Sequence, residues 1–597
     1  MRSSQSSPAA EREKATTGSS RWAWAALYVV CATVLVTDGG HFLPPAGERF
    51  VDYLKPGAAD LIPSLNAANA LLHGENPYHA RNLFVADPYD YSRGSHIGLT
   101  YLYPPSHALV YVPLTWLARG DYPTAMRLQF VVQLLCIALI ALCIVRLLGH
   151  IRELAPAVQN ALIPGLCLAI GLNPGNQLGF ERGQSDLITS AFGWCAVLAC
   201  TRGRWLTAAF MGVAATVLKG YGILFASGLI LLGLTQSWRR TLLGALSGVL
   251  ILFAPVARYL PDALEAYKVR SGMFWTSWNN QSFSNLAHHL DLPREQWRLL
   301  FTLAAVGCSV LAWLQLWRST RAGDLAQRSL WLCAFATAAF ASVLGYSLNS
   351  VAYDTVIVMP GVLIVGLAQD RLLPLESRFA RGALGVFVCV CLAAVFVFDV
   401  GLALGVSRWH VPASIAGQVG VLALIGFSAA RALARVSLRH RIGVLTAAAL
   451  CVLAATAYLN WPALEAWAAG PNLVPGKAWT TSSTALICHP EQRNCGGRNL
   501  GVFFHTRQEH QPWLRIDLGA EHDVSFIELQ NRLDCCRERA VPLVVELSKD
   551  GTSFHRVAQQ NETFEVWRAK WSSQRARYVR IRCLRETALH LERVEVR

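Results

Sequence analysis

Long apolar stretches free of Asp, Glu, Lys and Arg recur along most of the chain, at 22–37, 128–145, 154–180, 241–257, 299–317, 382–398, 411–430 and 442–464. A bilayer-crossing helix needs about 20 such residues, in a range of ~17–25. Read this way, the sequence predicts about 13 spans, at 22–37, 123–145, 155–172, 185–201, 205–218, 220–235, 241–257, 299–317, 329–347, 353–369, 382–398, 411–430 and 442–459. The apolar run 99–118 is left out of that count. Its Pro104-Pro105 suits a re-entrant or interfacial piece. After Leu464 the pattern changes: charges become frequent and short alternating stretches replace the long runs, at 513–518, 524–529, 543–548, 578–582 and 589–596. Period-2 alternation argues strands, Lys549-Asp550-Gly551 reads as a hairpin turn between two of them, and some 125 residues of this kind argue a β-sandwich.

Two polar stretches interrupt the apolar series, 38–122 and 258–298. In the first, Leu61, Leu65, Ala68, Leu71 and Leu72 recur at helical spacing after Asp60, which predicts an amphipathic helix lying on the membrane surface. Gly74 should stop it and Asn76-Pro77-Tyr78 should turn the chain.

Composition agrees with a membrane protein: 597 residues, 53% hydrophobic and only 15% charged. The formal net charge of +15 does not point to nucleic acid. The arginines sit in alternate short loops: Arg146 and Arg152, Arg202 and Arg204, Arg239 and Arg240, Arg318, Arg321 and Arg328, Arg371, Arg378 and Arg381, and Arg431, Arg435, Arg439 and Arg441. That is the positive-inside pattern. It puts the Ser-rich tail 1–21, read as disordered, in the cytoplasm; with an odd number of spans the C-terminus is outside. Of the 16 cysteines, those in apolar segments read as small buried hydrophobes. Beyond residue 460 stand Cys488, Cys495, Cys535, Cys536 and Cys583. Adjacent Cys535 and Cys536 are not expected to bond to each other, and in an oxidising compartment Cys488–Cys495 is the expected disulfide. No spacing suggests a metal, and no cofactor is expected.

Asp60, Gly74, Asn76-Pro77-Tyr78 and Tyr101-x-Tyr103-Pro104-Pro105, in that order, resemble the first outer loop of the polyprenyl-phosphate-sugar-dependent glycosyltransferases of family 87, which include α-1,2-mannosyltransferases and belong to the C superfamily. Gly183-Gln184-Ser185-Asp186, Lys219-Gly220-Tyr221 and Asn280-Gln281-Ser282 extend the resemblance over residues 22–430. Phe504-His505-Thr506, Pro512-Trp513-Leu514-x-Ile516-Asp517-Leu518-Gly519, Leu547-Ser548-x-Asp550-Gly551 and Ala576-Arg577-Tyr578-Val579-Arg580 resemble the discoidin, or coagulation-factor type C, domain over residues 472–597. The resemblances imply a polytopic α-helical membrane region of the C-superfamily kind over 22–464. They imply an extracytoplasmic all-β, galactose-binding-like jelly roll after it.

What the first resemblance implies is a multi-pass enzyme of the plasma membrane. It would move a sugar from a polyprenyl phosphate to a glycan or glycolipid acceptor on the outer face, with inversion. Asp60 would be the base that takes the acceptor's proton, or else only a helix N-cap. Arg182, Gln184, Lys219, Tyr221, Asn280, Gln281 and Ser282 would hold the donor. Lys219, between two apolar segments, either lines a wet cavity and meets an anion or marks a span end and snorkels. Tyr78, Trp275 and Trp278 are candidates for the acceptor, although the tryptophans fit an interfacial aromatic belt as well. In the outer domain His505, Arg507, Arg537 and Arg539 are glycan-binding candidates, with plain surface residues as the alternative. Rival readings are a transporter or flippase of a lipid-linked glycan and a non-catalytic glycan-binding membrane protein.

Overall fold

A computed structural model of the chain describes residues 61–79, 103–171, 184–220, 222–264, 266, 294–346, 356–396, 410–434, 468–484, 503–531, 536–564 and 566–597. The described helices and the described strands belong to two compact units, taken here in turn.

In the helical unit, α1 (Leu61–Leu72) and a 3-10 turn (Pro77–His79) lead to α2 (Pro105–Ala118). Gly74 has φ +75°, a left-handed conformation that lets the chain leave α1 without a Cβ penalty. Leu61, Leu65 and Ala68 pack against Tyr111 and Leu114 of α2 and against Tyr122 and Ala125 beyond it. Ser64, Asn66, Ala67 and Ala70 are buried as well. The apolar face of α1 thus rests on protein, which corrects the expectation that it lies on headgroups. α2 begins where Pro105 suits a first helical turn and ends in two left-handed residues, Arg119 (φ 51°) and Gly120 (φ 85°). Its 14 residues span only about 21 Å, too short to cross a bilayer, as its omission from the spans anticipated.

Asp121 then caps α3 (Tyr122–Arg152) by accepting from the Thr124 amide at 3.0 Å. There follow α4 (Pro156–Gly171), α5 (Asp186–Thr201), α6 (Trp205–Lys219) and α7 (Ile223–Leu252), which runs into a 3-10 turn (Ala254–Tyr259). Ser237 breaks α7 with φ −156° and ψ 73°. A Cβ on Gly233 would come within 2.6 Å of Thr241 Oγ1. Eight residues of straight helix would separate those positions by about 12 Å, so the chain turns back at Ser237 and α7 is two antiparallel pieces. This matches the separate expected segments 220–235 and 241–257. The unit closes with α8 (Arg294–Ala322), α9 (Leu325–Tyr346), α10 (Met359–Leu367), α11 (Gln369–Leu372), α12 (Arg378–Phe396) and α13 (His410–Leu433).

Each segment expected between 123 and 430 falls on one of these helices, whereas 22–37 and 442–459 lie outside the described residues. Tyr122–Arg152, Gln296–Ala322 and Ile415–Leu433 are long and apolar enough to cross a membrane. Ile223–Leu252 with Ala254–Leu264 passes the same test only as a pair bent by 51°, so among the described residues the count of about 13 crossings is not confirmed. Two arginines of the positive-inside pattern stand at helix ends and also tie helices together. Arg152 pairs with Asp370 and donates to the Leu367 carbonyl, joining α3 to α10 and α11; Arg328 donates to the Thr201 carbonyl at the end of α5. At the centre of the unit Trp194 is fully buried, with its indole N–H on the Ile357 carbonyl at 2.9 Å.

The second unit is built on antiparallel strands β1 (Ala478–Thr481), β2 (Phe504–His505), β3 (Glu509–His510), β4 (Trp513–Gln530), β5 (Leu543–Ser548), β6 (His555–Gln560), β7 (Val566–Cys583), β8 (Glu586–Thr587), β9 (His590–Leu591) and β10 (Arg593–Val596). One sheet runs β1-β4-β7-β5-β6, with β10 also on β4; β2 pairs with β9 and β3 with β8. Leu514 and Ile516 of β4, Val545 of β5 and Ile581 of β7 share one core with Phe504 and Leu591 of the short β2–β9 ladder. That ladder therefore covers the apolar face of the large sheet, as the sandwich reading expects. Asp550 makes the hairpin between β5 and β6, accepting from Ser548 Oγ and from the Thr552 and Ser553 amides, each at 2.8 Å, while Gly551 takes φ +78°.

The other sheet face is polar and ion-paired. Glu546 accepts from Arg580 and Arg582, and Glu528 from Arg568 and Arg593. Cys536 is disulfide-bonded, although the sequence pointed to Cys488 and Cys495 for the bridge. Every other described cysteine is free, so the partner of Cys536 lies outside the described residues, as do Cys488 and Cys495.

Candidate functional site

The chemistry-bearing residues of the helical unit gather where α2, α3, α5 and α6 meet. α6 ends at Lys219, and Gly220 follows in the left-handed conformation at φ 75°. Lys219 Nζ donates to Asp186 Oδ2 at 2.6 Å and to Gln184 Oε1 at 3.2 Å. The side chains of Lys219 and Asp186 are only 1% and 4% exposed, which rules out the snorkelling reading of this lysine. Tyr103 O–H donates to the same Gln184 Oε1 at 3.2 Å, and Lys219 Nζ stands 5.4 Å from the Tyr103 ring centroid.

Gln184 is held from its other end. Gln129 and Gln133, one turn apart on α3, donate to its carbonyl at 3.3 and 2.9 Å. His107 of α2 stacks on Tyr103 with ring centroids 4.3 Å apart, and its Nε2 lies 2.8 Å from Ser185 Oγ. Each buried side chain named here therefore has at least one partner, as a low-dielectric interior favours, although Gln129 Oε1 has none among the described residues.

The Asn-Pro-Tyr turn is tied to this cluster. Tyr78 O–H donates to the Tyr103 carbonyl at 2.7 Å, and burial pushes the Tyr78 hydroxyl up, so it stays a donor. Asn76 Nδ2 donates to Asp262 Oδ2 at 3.2 Å, and Tyr259 O–H donates to the Glu75 carbonyl at 2.9 Å. Tyr78 is thus engaged in holding the turn.

Of the expected site residues, the structure brings together Gln184, Lys219 and Tyr78. Asp60, Arg182, Tyr221, Trp275, Trp278, Asn280, Gln281 and Ser282 lie outside the described residues. Asp186, His107, Ser185, Gln129 and Gln133 were not among the expected site residues. A usable signal existed for four of them: Ser185 and Asp186 stand in the motif Gly183-Gln184-Ser185-Asp186, and Gln129 and Gln133 are amides at i and i+4 in an otherwise apolar span. Among the described residues no group of three or more His, Cys, Asp or Glu could hold a metal.

In the sheet unit, His505 sits opposite His590 on the β2–β9 ladder, their ring centroids 5.2 Å apart. β9 packs on the 3-10 turn Arg537–Ala540, which carries Arg537 and Arg539. Three of the four expected glycan-binding residues therefore share one region. Exposed Arg507 lies beside it in sequence, with its Nε on the Thr484 carbonyl at 2.9 Å.

The described residues thus form a helical unit with apolar candidate spans and a buried, ion-paired polar cluster, and a separate antiparallel-sheet unit. Residues 101–344 match the family model of glycosyltransferase family 87, which implies a membrane glycosyltransferase. Residues 496–581 match the model of the NedA-like, galactose-binding domain. Solved structures similar to the chain include the lectin domain of lectinolysin in complex with Lewis B antigen, at 26% identity over 21% of this chain and 96% of that one, TM-score 0.19. A fucose-binding module of Streptococcus pneumoniae matches at 27% identity over 21% and 94%, TM-score 0.19. A fucolectin from striped bass (Morone saxatilis) serum matches at 21% identity over 21% and 47%, TM-score 0.17. No curated protein matches the chain.

Proposed function

We propose that this protein transfers a sugar from a polyprenyl phosphate to a hydroxyl of a glycan or glycolipid acceptor at the outer face of the plasma membrane, with inversion. The observation that carries the reading is the buried Lys219–Asp186–Gln184–Tyr103 cluster inside the stretch that matches family 87. Charged groups among apolar helices are costly and mark functional sites.

In a single displacement the acceptor oxygen bonds to the anomeric carbon as the bond from that carbon to the phosphate oxygen breaks. The electron pair leaves on the phosphate, and Asp60 takes the acceptor's proton, a step worth ~10²–10⁴-fold. Asp60 directly precedes α1, whose far end continues into the turn that Tyr78 ties to Tyr103. Lys219 and Arg182 are assigned to the charge developing on the phosphate, with Gln184, Tyr221, Asn280, Gln281 and Ser282 around the donor and Trp275 and Trp278 on the acceptor side. The sheet domain, outside the membrane, holds the acceptor glycan around His505, Arg507, Arg537 and Arg539 and does no chemistry. The transporter and pure binding-protein readings are disfavoured by the family-87 match.

The test is transfer of radiolabel by purified protein from a panel of synthetic polyprenyl-phosphate sugars to a glycan acceptor. Label in the acceptor supports the reading; no transfer from any polyprenyl-phosphate sugar refutes it.

A further inference from the structure

Lys219 is not a bare cation waiting for a phosphate. Its ammonium is matched by the Asp186 carboxylate at 2.6 Å, in surroundings where both side chains are almost fully enclosed. Buried charges stay ionised because they are paired. A phosphate that approaches Lys219 therefore also approaches a fixed negative charge, and how much that matters depends on the phosphate's own charge.

Resting on the proposed function, the two lipids of the reaction differ in that respect. A polyprenyl-phosphate sugar is a phosphodiester with one negative charge. Transfer cleaves the bond between the anomeric carbon and oxygen and leaves a polyprenyl monophosphate, which carries up to two. Repulsion from Asp186 grows with the charge on the phosphate, and in a partly dehydrated site it is poorly screened.

We propose that Asp186 is a specificity-determining residue that favours the monoanionic donor over the dianionic product, so that the spent lipid phosphate is released. It acts through Lys219: the carboxylate leaves the ammonium enough attraction to retain a diester and too little to hold a monophosphate tightly. Gln184, which accepts from Lys219 and from Tyr103 at 3.2 Å each, keeps the ammonium in place.

The experiment uses the purified full chain and a short-chain polyprenyl monophosphate as inhibitor of transfer. In Asp186→Asn the inhibition constant for the monophosphate should fall on the order of tenfold, while KM for the donor falls less. Asp186→Glu, which keeps the charge, should leave the ratio of the monophosphate inhibition constant to the donor KM near that of wild type. A merely structural role for Asp186 would weaken both ligands together. An unchanged or higher inhibition constant in folded Asp186→Asn overturns the proposal. Should that variant not fold, the wild type suffices: its affinity for the monophosphate is compared with that for the methyl phosphodiester of the same lipid. The diester should bind at least as tightly. A wild-type enzyme that transfers sugar yet binds the monophosphate more tightly sinks this inference and leaves the proposed function standing.

Discussion

Lys219 and Asp186 lie 33 residues apart in sequence and form an ion pair of 2.6 Å with almost no access to solvent. Removing one partner strands a buried charge, a loss of ~3–5 kcal/mol in such pairs, whereas replacing both with apolar groups can be neutral. Lys219→Met should therefore lower the unfolding temperature in detergent markedly. Lys219→Met combined with Asp186→Leu should recover most of the loss while remaining inactive. A double variant less stable than the single one would contradict the pairing.

In the sheet domain Asp517 accepts a two-pronged contact from Arg577 at 2.8 and 2.9 Å, and this contact holds its carboxyl at about 2. A carboxylate depressed in the folded state stabilises the fold above its unfolded value, near 4, and loses that contribution as pH falls through the folded value. Arg577→Gln should be less stable than wild type at neutral pH, with the difference closing between about pH 4 and pH 2. Acid titration followed by circular dichroism reads this; a difference that persists unchanged at pH 2 would contradict it.

The proposed orientation, with the sheet domain outside the membrane, rests on the alternation of arginine-rich loops. Lys549 is exposed on the hairpin between β5 and β6, so Lys549→Cys should react with an impermeant thiol reagent on intact cells. Reaction only after lysis would place the sheet domain in the cytoplasm.

A tethered binding module raises the local concentration of a weakly held acceptor, to the millimolar range for a short linker. Deleting residues 472–597 should raise KM for a long glycan acceptor and spare transfer to a small soluble one. Loss of both, with the helical unit still folded, would mean that the domain completes the active site.

Much of the local structure was legible because its causes are local. Gly74 and Asp550-Gly551 mark turns by their own conformational preferences, and apolar runs mark most helices. The polar cluster was not legible as a unit. Lys219, Gln184 and Tyr103 stood in motifs, but nothing near them in the chain says that Asp186 meets Lys219 or that His107 meets Ser185. Those contacts arise from how α2, α5 and α6 pack, which periodicity does not encode. The burial of α1 was not legible for the same reason: its apolar face packs on α2, whose run was expected as a re-entrant or interfacial piece.

The central claim is that a carboxylate before α1 activates an acceptor hydroxyl for attack on a polyprenyl-phosphate sugar. The most direct measurement compares wild type and Asp60→Asn, both purified and shown to be folded, in transfer of radiolabelled sugar from that donor. The account predicts transfer by the wild type and, for the amide variant, unchanged donor binding with a rate lowered by ~10²-fold or more. A rate above about a tenth of wild type in Asp60→Asn would contradict it.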